Sequence, residues 1–453
     1  MTDNRTADVV VIGAGFAGIT AARELRRRGH SVVIVEARDR IGGRTWTSSA
    51  LGRTLELGGT WVHWIQPHVW AELTRYGIGT VPSPTPVKGI WITGGERHEG
   101  TGEELLGLID RGMTATLAEA LDWFPAPYDP LARGSDLDEL DALSMRDRLE
   151  QLGLPEPELE AVDAMWATNF NGPTDQGGYT QGLRWCALSG GSWQRMFEAC
   201  ATYKVQGGMK TLLSAMLDDA QVEVRFDSPV STVEQDDDGA RVRLADGDVL
   251  TAGAVVVTLP LNALPCITFD PPLHETKRRA AEQGQTSCGT KVWARLKGEY
   301  EPFAALAPAD GPFTLAQVEY ADNGETILVA FGPDSTRIDG TDREAVQAAL
   351  RRWVPDIEVL EVACHDWVAD PYARETWPML RTGQLTGALE ELQRPEGRVV
   401  LAGADYANGW MGFVDGAIES GMRASRMVHG FFLQSAVAEG ERHLADDLGT
   451  VVP

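Results

Sequence analysis

The sequence predicts a mixed α/β fold in which two domains are interleaved along the chain. Three observations lead to this prediction: a βαβ unit near the N-terminus, an antiparallel meander in the middle, and a strand followed by a helix near the C-terminus. They lie in different thirds of the 453 residues, so one domain has to be assembled from separated segments. A chain of this length has room for two or three domains.

The βαβ unit is DVVVIGAGFAGITAARELRRRGHSVVIVEA, residues 8–37. Residues 8–12 are a short β-branched run, which is typical of a buried parallel strand. Residues 19–28 predict a helix that ends at Gly29, and residues 31–35 predict the second strand.

Three glycines at G-x-G-x-x-G spacing join the first strand to the helix. Gly13 permits a tight turn, Gly15 lets a pyrophosphate approach the backbone, and Gly18 lets the helix pack closely on the strand. The free N–H groups at the helix N-terminus would face the phosphates. Glu36 ends the second strand, where a carboxylate can accept both ribose hydroxyls. The unit therefore predicts a dinucleotide site.

A basic, glycine-containing segment follows this acidic residue. Arg38 and Arg44 flank Gly42 and Gly43, which offers cations and a close backbone approach to phosphate oxygens. A basic surface turn would have the same composition, so these residues alone leave both interpretations open.

The meander occupies residues 227–260. Asp246-Gly247 is typical of a hairpin turn, the acidic stretch 236–239 predicts another turn, and residues 254–258 predict a buried returning strand. Near the C-terminus, residues 398–425 predict a strand, a loop and a helix that starts near Val414.

The run EARDRIGGRTWT, followed by LELGGTWVH, resembles the flavin-containing amine oxidases, which include monoamine oxidases, polyamine oxidases and L-amino-acid oxidases. The segment WVHWIQPHVWAELTRYG resembles more specifically the bacterial nicotine oxidoreductases and pseudooxynicotine amine oxidase. That group also shows a Y-x-x-QGG motif, here from Tyr203, and a D-W-x-ADP motif, here from Asp366. The resemblance covers nearly the whole chain.

The resemblance implies FAD as the cofactor. In the family, the residue matching Val230 contacts adenine through its backbone, an acid matching Asp405 lies near the ribityl and phosphate end, and the helix starting at Val414 points at the pyrimidine ring. Gly58 and Gly59 would let the backbone lie flat against the isoalloxazine. The expected cofactor contacts are Gly13, Gly15, Gly18, Glu36, Arg38, Gly43, Arg44, Gly59, Thr60, Val230, Trp367, Asp405 and Val414.

Three residues are expected to be catalytic. Lys291 matches the family lysine that binds a water near flavin N5; a surface lysine on an edge strand is the alternative. Trp377 and Phe413 match the two aromatic residues that stand on the flavin face, although monoamine oxidases place Tyr and nicotine oxidoreductases place Asn at the second position. Thr376 replaces the cysteine that tethers the flavin in monoamine oxidases, so FAD should be noncovalent.

The expected substrate contacts are Trp64, Asn169, Trp193 and Phe331. The segments 164–172 and 191–202 differ from the nicotine enzymes, so amine oxidation is better supported than nicotine itself. The expected reaction is hydride transfer from a secondary or tertiary amine to flavin N5, giving an imine or iminium, in an apolar pocket that favours the neutral amine.

Other functions share the same cofactor fingerprint. The main alternative is an oxidase of primary amines or L-amino acids, in which Arg184 or Arg381 would hold a carboxylate. A flavin desaturase of an apolar substrate would not need Lys291 or the aromatic pair. A flavin-binding scaffold without turnover is the fourth alternative.

The composition narrows the class of partner. Forty basic and 66 acidic residues give a net charge of −26, which repels nucleic acid and anionic membranes. Five scattered cysteines without a C-x-x-C argue against a disulfide framework or a metal site and favour a reducing, cytoplasmic location. No apolar run reaches the length of a membrane span. The expected partners are a small-molecule amine, oxygen or a cytochrome as electron acceptor, and a second copy in a homodimer.

The predicted domains follow from these assignments. The FAD-binding domain, a Rossmann-like sheet with an antiparallel meander, should comprise residues 1–80, 205–290 and 390–435. The substrate domain, a mixed sheet with helices as in monoamine oxidases, should comprise residues 81–204 and 291–389. Residues 436–453 are expected to form an acidic, frayed tail.

Overall fold

The structure, a computed structural model, describes residues 6–322 and 324–449. Its strands are, in chain order, β1 Ala7–Ile12, β2 Val32–Val35, β3 Thr47–Ala50, β4 Arg53–Glu56, β5 Trp61–Val62, β6 Thr80–Pro82, β7 Lys88–Thr93, β8 Glu96–Thr101, β9 Tyr203–Val205, β10 Glu223–Arg225, β11 Val230–Gln235, β12 Ala240–Leu244, β13 Val249–Val257, β14 Thr268–Asp270, β15 Thr290–Lys297, β16 Phe303–Leu306, β17 Leu315–Asp322, β18 Glu325–Gly332, β19 Val359–Cys364 and β20 Val399–Leu401.

The α-helices are α1 Phe16–Arg27, α2 Pro67–Tyr76, α3 Gly102–Leu117, α4 Ala120–Trp123, α5 Asp138–Asp141, α6 Met145–Gln151, α7 Glu156–Phe170, α8 Tyr179–Leu188, α9 Trp193–Ala201, α10 Met209–Ala220, α11 Glu275–Gln283, α12 Arg343–Leu350, α13 Gln384–Gln393 and α14 Val414–Gly449. Short 3₁₀ helices span Gly134–Leu137, Leu261–Cys266, Ser335–Arg337 and Ala404–Tyr406.

An eight-stranded sheet has the order β10-β2-β1-β13-β12-β11-β14, with β20 also paired to β13. Its centre is parallel: β1 pairs with β2 and with β13, and β13 pairs with β20. The meander β11-β12-β13 is antiparallel, as predicted. This sheet joins the N-terminal, middle and C-terminal segments, which confirms the mixed α/β fold and its interleaved assembly.

The βαβ unit forms because its glycines permit two close approaches. Gly13 has a φ of +105°, a conformation that L side chains rarely adopt. A Cβ on Gly18 would stand 2.0 Å from the carbonyl oxygen of Gly13, so only glycine lets α1 pack at this distance. Gly29, with a φ of +90°, follows the end of the helix, as predicted.

A seven-stranded sheet has the order β19-β15-β18-β17-β16-β7-β8 and is antiparallel except between β16 and β7. Its two faces bury different clusters. Val292 and Ala294 pack with α12, whereas Trp293, Val329 and Phe331 pack against the helical layer that includes α7 and α8. Lys291 therefore projects toward the helical layer, because alternate residues of β15 face the same way.

The strands of the two sheets come from different segments of the chain. Those of the larger sheet lie within residues 7–35, 223–270 and 399–401, and those of the smaller sheet within 88–101 and 290–364. The predicted C-terminal tail needs a correction. Helix α14 continues without a break to Gly449, so the acidic segment extends a helix; residues 450–453 lie outside the described part of the chain.

Candidate active site

A cavity of about 500 Å³ is lined by residues from both sheets and from the helical layer. At one end it is lined by the β1–α1 turn and the end of β2. At the other end it is lined by β15, β17 and β18 together with the segments around Trp377 and Phe413. Most of the sequence-predicted site residues thus meet in one cavity between the two sheets.

The end near β1 has the features of a dinucleotide site. Glu36, which is buried, accepts hydrogen bonds from the backbone N–H of Ala14 at 2.7 Å and of Arg38 at 3.0 Å, which fixes its carboxylate at the rim of the β1–α1 turn. Helix α1 starts after Gly15 with no side-chain cap and no acidic residue in its first turn. Its N–H groups are therefore available to an anion.

Arg38 and Arg44 both line the cavity, but their guanidinium groups are also paired with carboxylates. Arg38 donates to Asp370 at 2.6 Å. Arg44 forms ion pairs with Glu375 and Asp405. Asp405 itself does not line the cavity and lies behind Arg44, where it also accepts from the backbone N–H of Leu261 at 2.9 Å. The basic segment is thus a buried ion-pair centre as well as a cavity wall.

Two buried carboxylates face the Arg44 guanidinium, and their pKa values shift in opposite directions. Burial and the neighbouring charge of Asp405 raise the pKa of Glu375 well above its ordinary value. Burial opposes ionisation of Asp405 too, but Arg44 and the hydrogen bonds hold the pKa of that carboxyl below its ordinary value. Of the two carboxyls that face Arg44, Glu375 is therefore the one more readily protonated.

The two adjacent glycines before β5 have different physical roles. A Cβ on Gly58 would stand 2.0 Å from the carbonyl oxygen of Arg44 and 2.9 Å from the ring of Trp367, so glycine is needed there for packing within the protein. That Gly58 also lets the backbone lie against a bound flavin stays a prediction. On Gly59 the nearest atom is the Cγ2 methyl of Thr45, at 3.2 Å.

Several further cofactor residues also line the cavity. These are Gly13, Gly15, Gly43, Gly59, Thr60, Val230, Trp367 and Val414. The indole of Trp367 donates to the carbonyl of Leu57 at 3.0 Å, which fixes its ring against the wall. Gly18 lies outside the lining because its role is to pack α1 on β1.

Trp377 and Phe413 line the other end of the cavity. The indole of Trp377 donates to the carbonyl of Asn169 at 2.8 Å, so its ring orientation is fixed by α7. Phe413 packs edge to face against Trp185 at 5.2 Å and against Trp410 at 5.1 Å. Trp185, which was not predicted from the sequence, also lines the cavity. It lies on α8, a helix that is buried on every side. A tryptophan in such a helix is equally typical of ordinary core packing.

Lys291 is buried in the cavity wall. Its Nζ donates to the carbonyl of Glu56 at 2.7 Å, to the carbonyl of Gly58, and to Thr60 Oγ1 at 2.8 Å, which satisfies all three N–H groups of an ammonium. Burial lowers the pKa of Lys291 to about 7, against the opposing effect of Glu56. The lysine therefore changes protonation near neutral pH, a property suited to proton transfer.

Two of the four predicted substrate contacts lie in the cavity. Phe331 on β18 is opposite Lys291 in the strand register and approaches Trp377, with ring centroids 6.4 Å apart. Asn169, near the end of α7, lines the same region.

Trp64 and Trp193 lie elsewhere, which corrects their assignment. Trp64 is 54% exposed and does not line the cavity. Strand β5 ends at Val62, so Trp61 is the tryptophan that faces the cavity and Trp64 follows in the surface turn before α2. Trp193 starts α9 and is buried, with its indole donating to Asp110 at 3.0 Å, so it packs α9 against α3.

The cavity fits FAD in three respects. At the end near β1, the glycine turn and the uncapped N-terminus of α1 suit a pyrophosphate, and the fixed carboxylate of Glu36 suits a ribose. Gly43 has a φ of +56°, and a Cβ there would stand 3.7 Å from Gly15 Cα, which leaves an open strip of backbone. In the cavity wall, the buried Oγ1 of Thr376 has no hydrogen-bond partner within the described residues. A bound polar group would supply one.

The sequence profile of the flavin containing amine oxidoreductases matches residues 16–429. The chain is 38% identical to pseudooxynicotine dehydrogenase of Pseudomonas sp. over 94% of its length and 87% of that protein. It is also 38% identical to nicotine dehydrogenase of Pseudomonas putida, over 93% and 88% of the two chains. It is 30% identical to (S)-6-hydroxynicotine oxidase of Paenarthrobacter nicotinovorans, over 91% and 97%.

Solved structures show the same fold. Putrescine oxidase bound to putrescine superposes with a TM-score of 0.81 at 24% identity, covering 94% of this chain and 99% of that one. Cyclohexylamine oxidase from Brevibacterium oxydans superposes with a TM-score of 0.78 at 21% identity, covering 93% and 98%.

Fold, cavity and sequence together define a flavoenzyme that oxidises small-molecule amines. The chain belongs to the flavin-containing amine oxidoreductase family. Its cofactor is FAD, held noncovalently as is typical of the family. None of the described helices combines the length and the apolarity that a membrane span requires.

Proposed function

We propose that this chain oxidises a secondary or tertiary amine of the nicotine-alkaloid type to an imine or iminium. The observation that carries the proposal is the meeting of Lys291, Trp377 and Phe413 in one cavity with the dinucleotide end. The names of the relatives at 38% identity support the substrate class.

The glycine turn at Gly13 and Gly15 and the Glu36 carboxylate would hold FAD, which would supply the acceptor for a hydride from the carbon next to nitrogen. Trp377 and Phe413 orient the amine through their ring faces. The apolar wall that they form with Phe331 and Trp185 disfavours an ammonium, so the substrate reacts as the neutral amine. Lys291, held by three oxygen acceptors at the cavity wall, exchanges a proton near neutral pH. Water then hydrolyses the released iminium.

An oxidase of primary amines or L-amino acids is the second candidate. An L-amino acid needs a cation that binds its carboxylate. The two arginines predicted for that role, Arg184 and Arg381, do not line the cavity. Arg184 is buried and donates to the carbonyls of Ala407 at 3.2 Å and Asn408 at 3.1 Å, and Arg381 donates to Gln176 at 2.8 Å. These contacts favour an alkaloid-type amine over an L-amino acid.

Anaerobic bleaching of the flavin tests the proposal. The purified holoenzyme is mixed with nicotine, pseudooxynicotine, N-methyl arylalkylamines, polyamines and amino acids, and flavin absorbance is followed. Fast bleaching by the secondary or tertiary amines supports the proposal. Bleaching confined to primary amines or amino acids would contradict it.

The electron acceptor and the oligomeric state are separate proposals. We infer that oxygen or a cytochrome reoxidises the flavin, and that the protein forms a homodimer. Admitting air to the bleached enzyme distinguishes the acceptors, because fast recovery of colour identifies an oxidase and slow recovery favours a protein acceptor. Light scattering coupled to size exclusion gives the mass of the particle.

A further inference from the structure

One face of the seven-stranded sheet forms a wall of the cavity. Lys291 on β15, Phe331 on β18 and Leu315 on β17 are in register, and all three line the cavity. Gln317, two residues beyond Leu315, projects from the same face and also lines it. Strand spacing and rise place its Cα about 12 Å from that of Lys291. Gln317 therefore lies at the end of the substrate region remote from Lys291.

The orientation of the Gln317 amide is fixed by a buried carboxylate. Its Nε2 donates to Oε1 of Glu319 at 2.6 Å. The other carboxylate oxygen is paired with Lys204 and accepts from Ser83 Oγ at 3.0 Å. Because a carboxylate offers only acceptors, the NH₂ group of Gln317 has to face Glu319 and the carbonyl Oε1 has to face away.

The side-chain amides of Gln317 and Asn169 both present an acceptor to the cavity. No donor among the described residues reaches Oε1 of Gln317. Asn169 shows the same arrangement. Its Nδ2 donates to the carbonyl of Met165 at 2.9 Å, so its Oδ1 remains available as an acceptor. The indole donors of the wall are already used, by Trp61 to Ser83, Trp185 to Met411 and Trp377 to Asn169.

We propose that Gln317 determines substrate specificity by accepting a hydrogen bond from a donor on the remote end of the amine. This rests on the proposed function and narrows its substrate class to amines with a second N–H, O–H or ammonium group. Some amines carry only an acceptor at the remote end, such as a pyridine nitrogen. That acceptor would face Oε1 of Gln317, which is also an acceptor, so no hydrogen bond would form and the amine would bind less well.

Three secondary amines with the same reacting end test this proposal. They are N-methyl arylalkylamines whose ring carries a hydroxyl, carries a methoxy group, or is a pyridine. The rate of anaerobic flavin reduction at low concentration gives relative kcat/KM in the holoenzyme. The wild type should prefer the hydroxyl compound over the methoxy compound by about tenfold, the effect of one hydrogen bond. In Gln317→Met, which keeps the volume without an acceptor, that ratio should fall to about one.

A second variant tests the orientation without removing Gln317. The double substitution Lys204→Met with Glu319→Gln removes both buried charges and places an amide opposite Gln317. Gln317 can then turn its Nε2 toward the cavity, so the preference should shift from the hydroxyl to the pyridine compound. Gln317→Met removes one of the hydrogen-bond donors of buried Glu319 and could therefore reduce folding. If that variant folds poorly, the double variant still tests the role of Gln317.

The outcomes separate the two proposals. Equal rates for the three amines in the wild type, or a ratio that survives Gln317→Met, would overturn the role of Gln317 and leave the proposed function intact. An unchanged preference in the double variant would overturn the fixed amide orientation, and the role of Gln317 with it. A flavin that no secondary amine bleaches would overturn the proposed function and this inference together.

Discussion

Two tryptophans that the sequence treats alike should differ sharply in function. Replacing Trp377 with Ala removes a cavity wall and the hydrogen bond to Asn169, so kcat/KM for the best amine should fall about 100-fold. Replacing the exposed Trp64 with Ala should change it by no more than about twofold. Steady-state kinetics of both variants check this, with Trp377→Phe, which retains a ring, as the control. Equal losses at the two positions would contradict the assignment.

Lys291 predicts a pH dependence of stability in the flavin-free protein. Its pKa is about 7 in the folded chain and has the ordinary value of about 10.4 in the unfolded chain. Between these values the unfolded chain binds the extra proton, so the wild type gains stability as pH rises from 7 to 10, by at most about 1.4 kcal/mol per pH unit. Below pH 7 the lysine is charged in both the folded and the unfolded chain, so the full cost of burying its charge lowers the stability of the folded protein.

Urea unfolding of the wild type and Lys291→Met at pH 6, 8 and 10 measures this effect. The variant lacks the titrating group, so its advantage over the wild type should be largest at pH 6 and shrink toward pH 10. Two stability curves that run parallel across this range would show that Lys291 keeps an ordinary pKa.

Residues whose positions rest on local backbone geometry could be placed from the sequence. The βαβ pattern places Gly13 and Glu36, whereas the expectation for Lys291 rests on its match to the family lysine. Trp64 could not be placed, because β5 is two residues long and pairs with β9, about 140 positions further along the chain. The position at which β5 ends depends on its pairing with β9. That position decides whether Trp61 or Trp64 faces the cavity.

Among the elements, the segment that joins β4 to β5 gives a matched pair of substitutions. Gly58→Ala places a methyl 2.0 Å from the backbone oxygen of Arg44, which should cost about 1–3 kcal/mol of unfolding free energy. Gly59→Ala meets only a methyl that can move, so it should leave stability within about 1 kcal/mol and weaken FAD binding instead. Thermal unfolding and flavin titration separate the two effects, and equal destabilisation would show that the two glycines share one role.

The elements of the cofactor half were readable because their signals are local: a glycine turn, a hairpin turn and alternating strands. The substrate half was harder. Gln317 lies on a strand whose inward residues are Leu315, Gln317 and Glu319, and two buried polar residues look like a solvent-facing edge when only the sequence is considered. The partners of Glu319 are Ser83 and Lys204, which lie more than 100 positions earlier in the chain, and no local pattern links them to this strand.

For the whole molecule, noncovalent FAD predicts complete release of the flavin. Denaturation in acid followed by filtration should leave the yellow colour in the filtrate, because Thr376 offers no thiol for a covalent bond. Adding FAD back at 100 times its Kd should stabilise the refolded protein by about 2.7 kcal/mol, seen as a higher Tm. Flavin that stays with the precipitate would contradict the assignment.

The interleaving of the sheets has a consequence for biosynthesis. A ribosome releases β1 and Arg44 long before Asp405, which lies 361 residues later, and before α14, against which α1 packs. The N-terminal βαβ unit therefore emerges with an uncovered apolar face that chaperones and proteases recognise. The cofactor pocket can be completed only when translation is almost finished, so a prematurely terminated chain would be degraded without ever holding flavin.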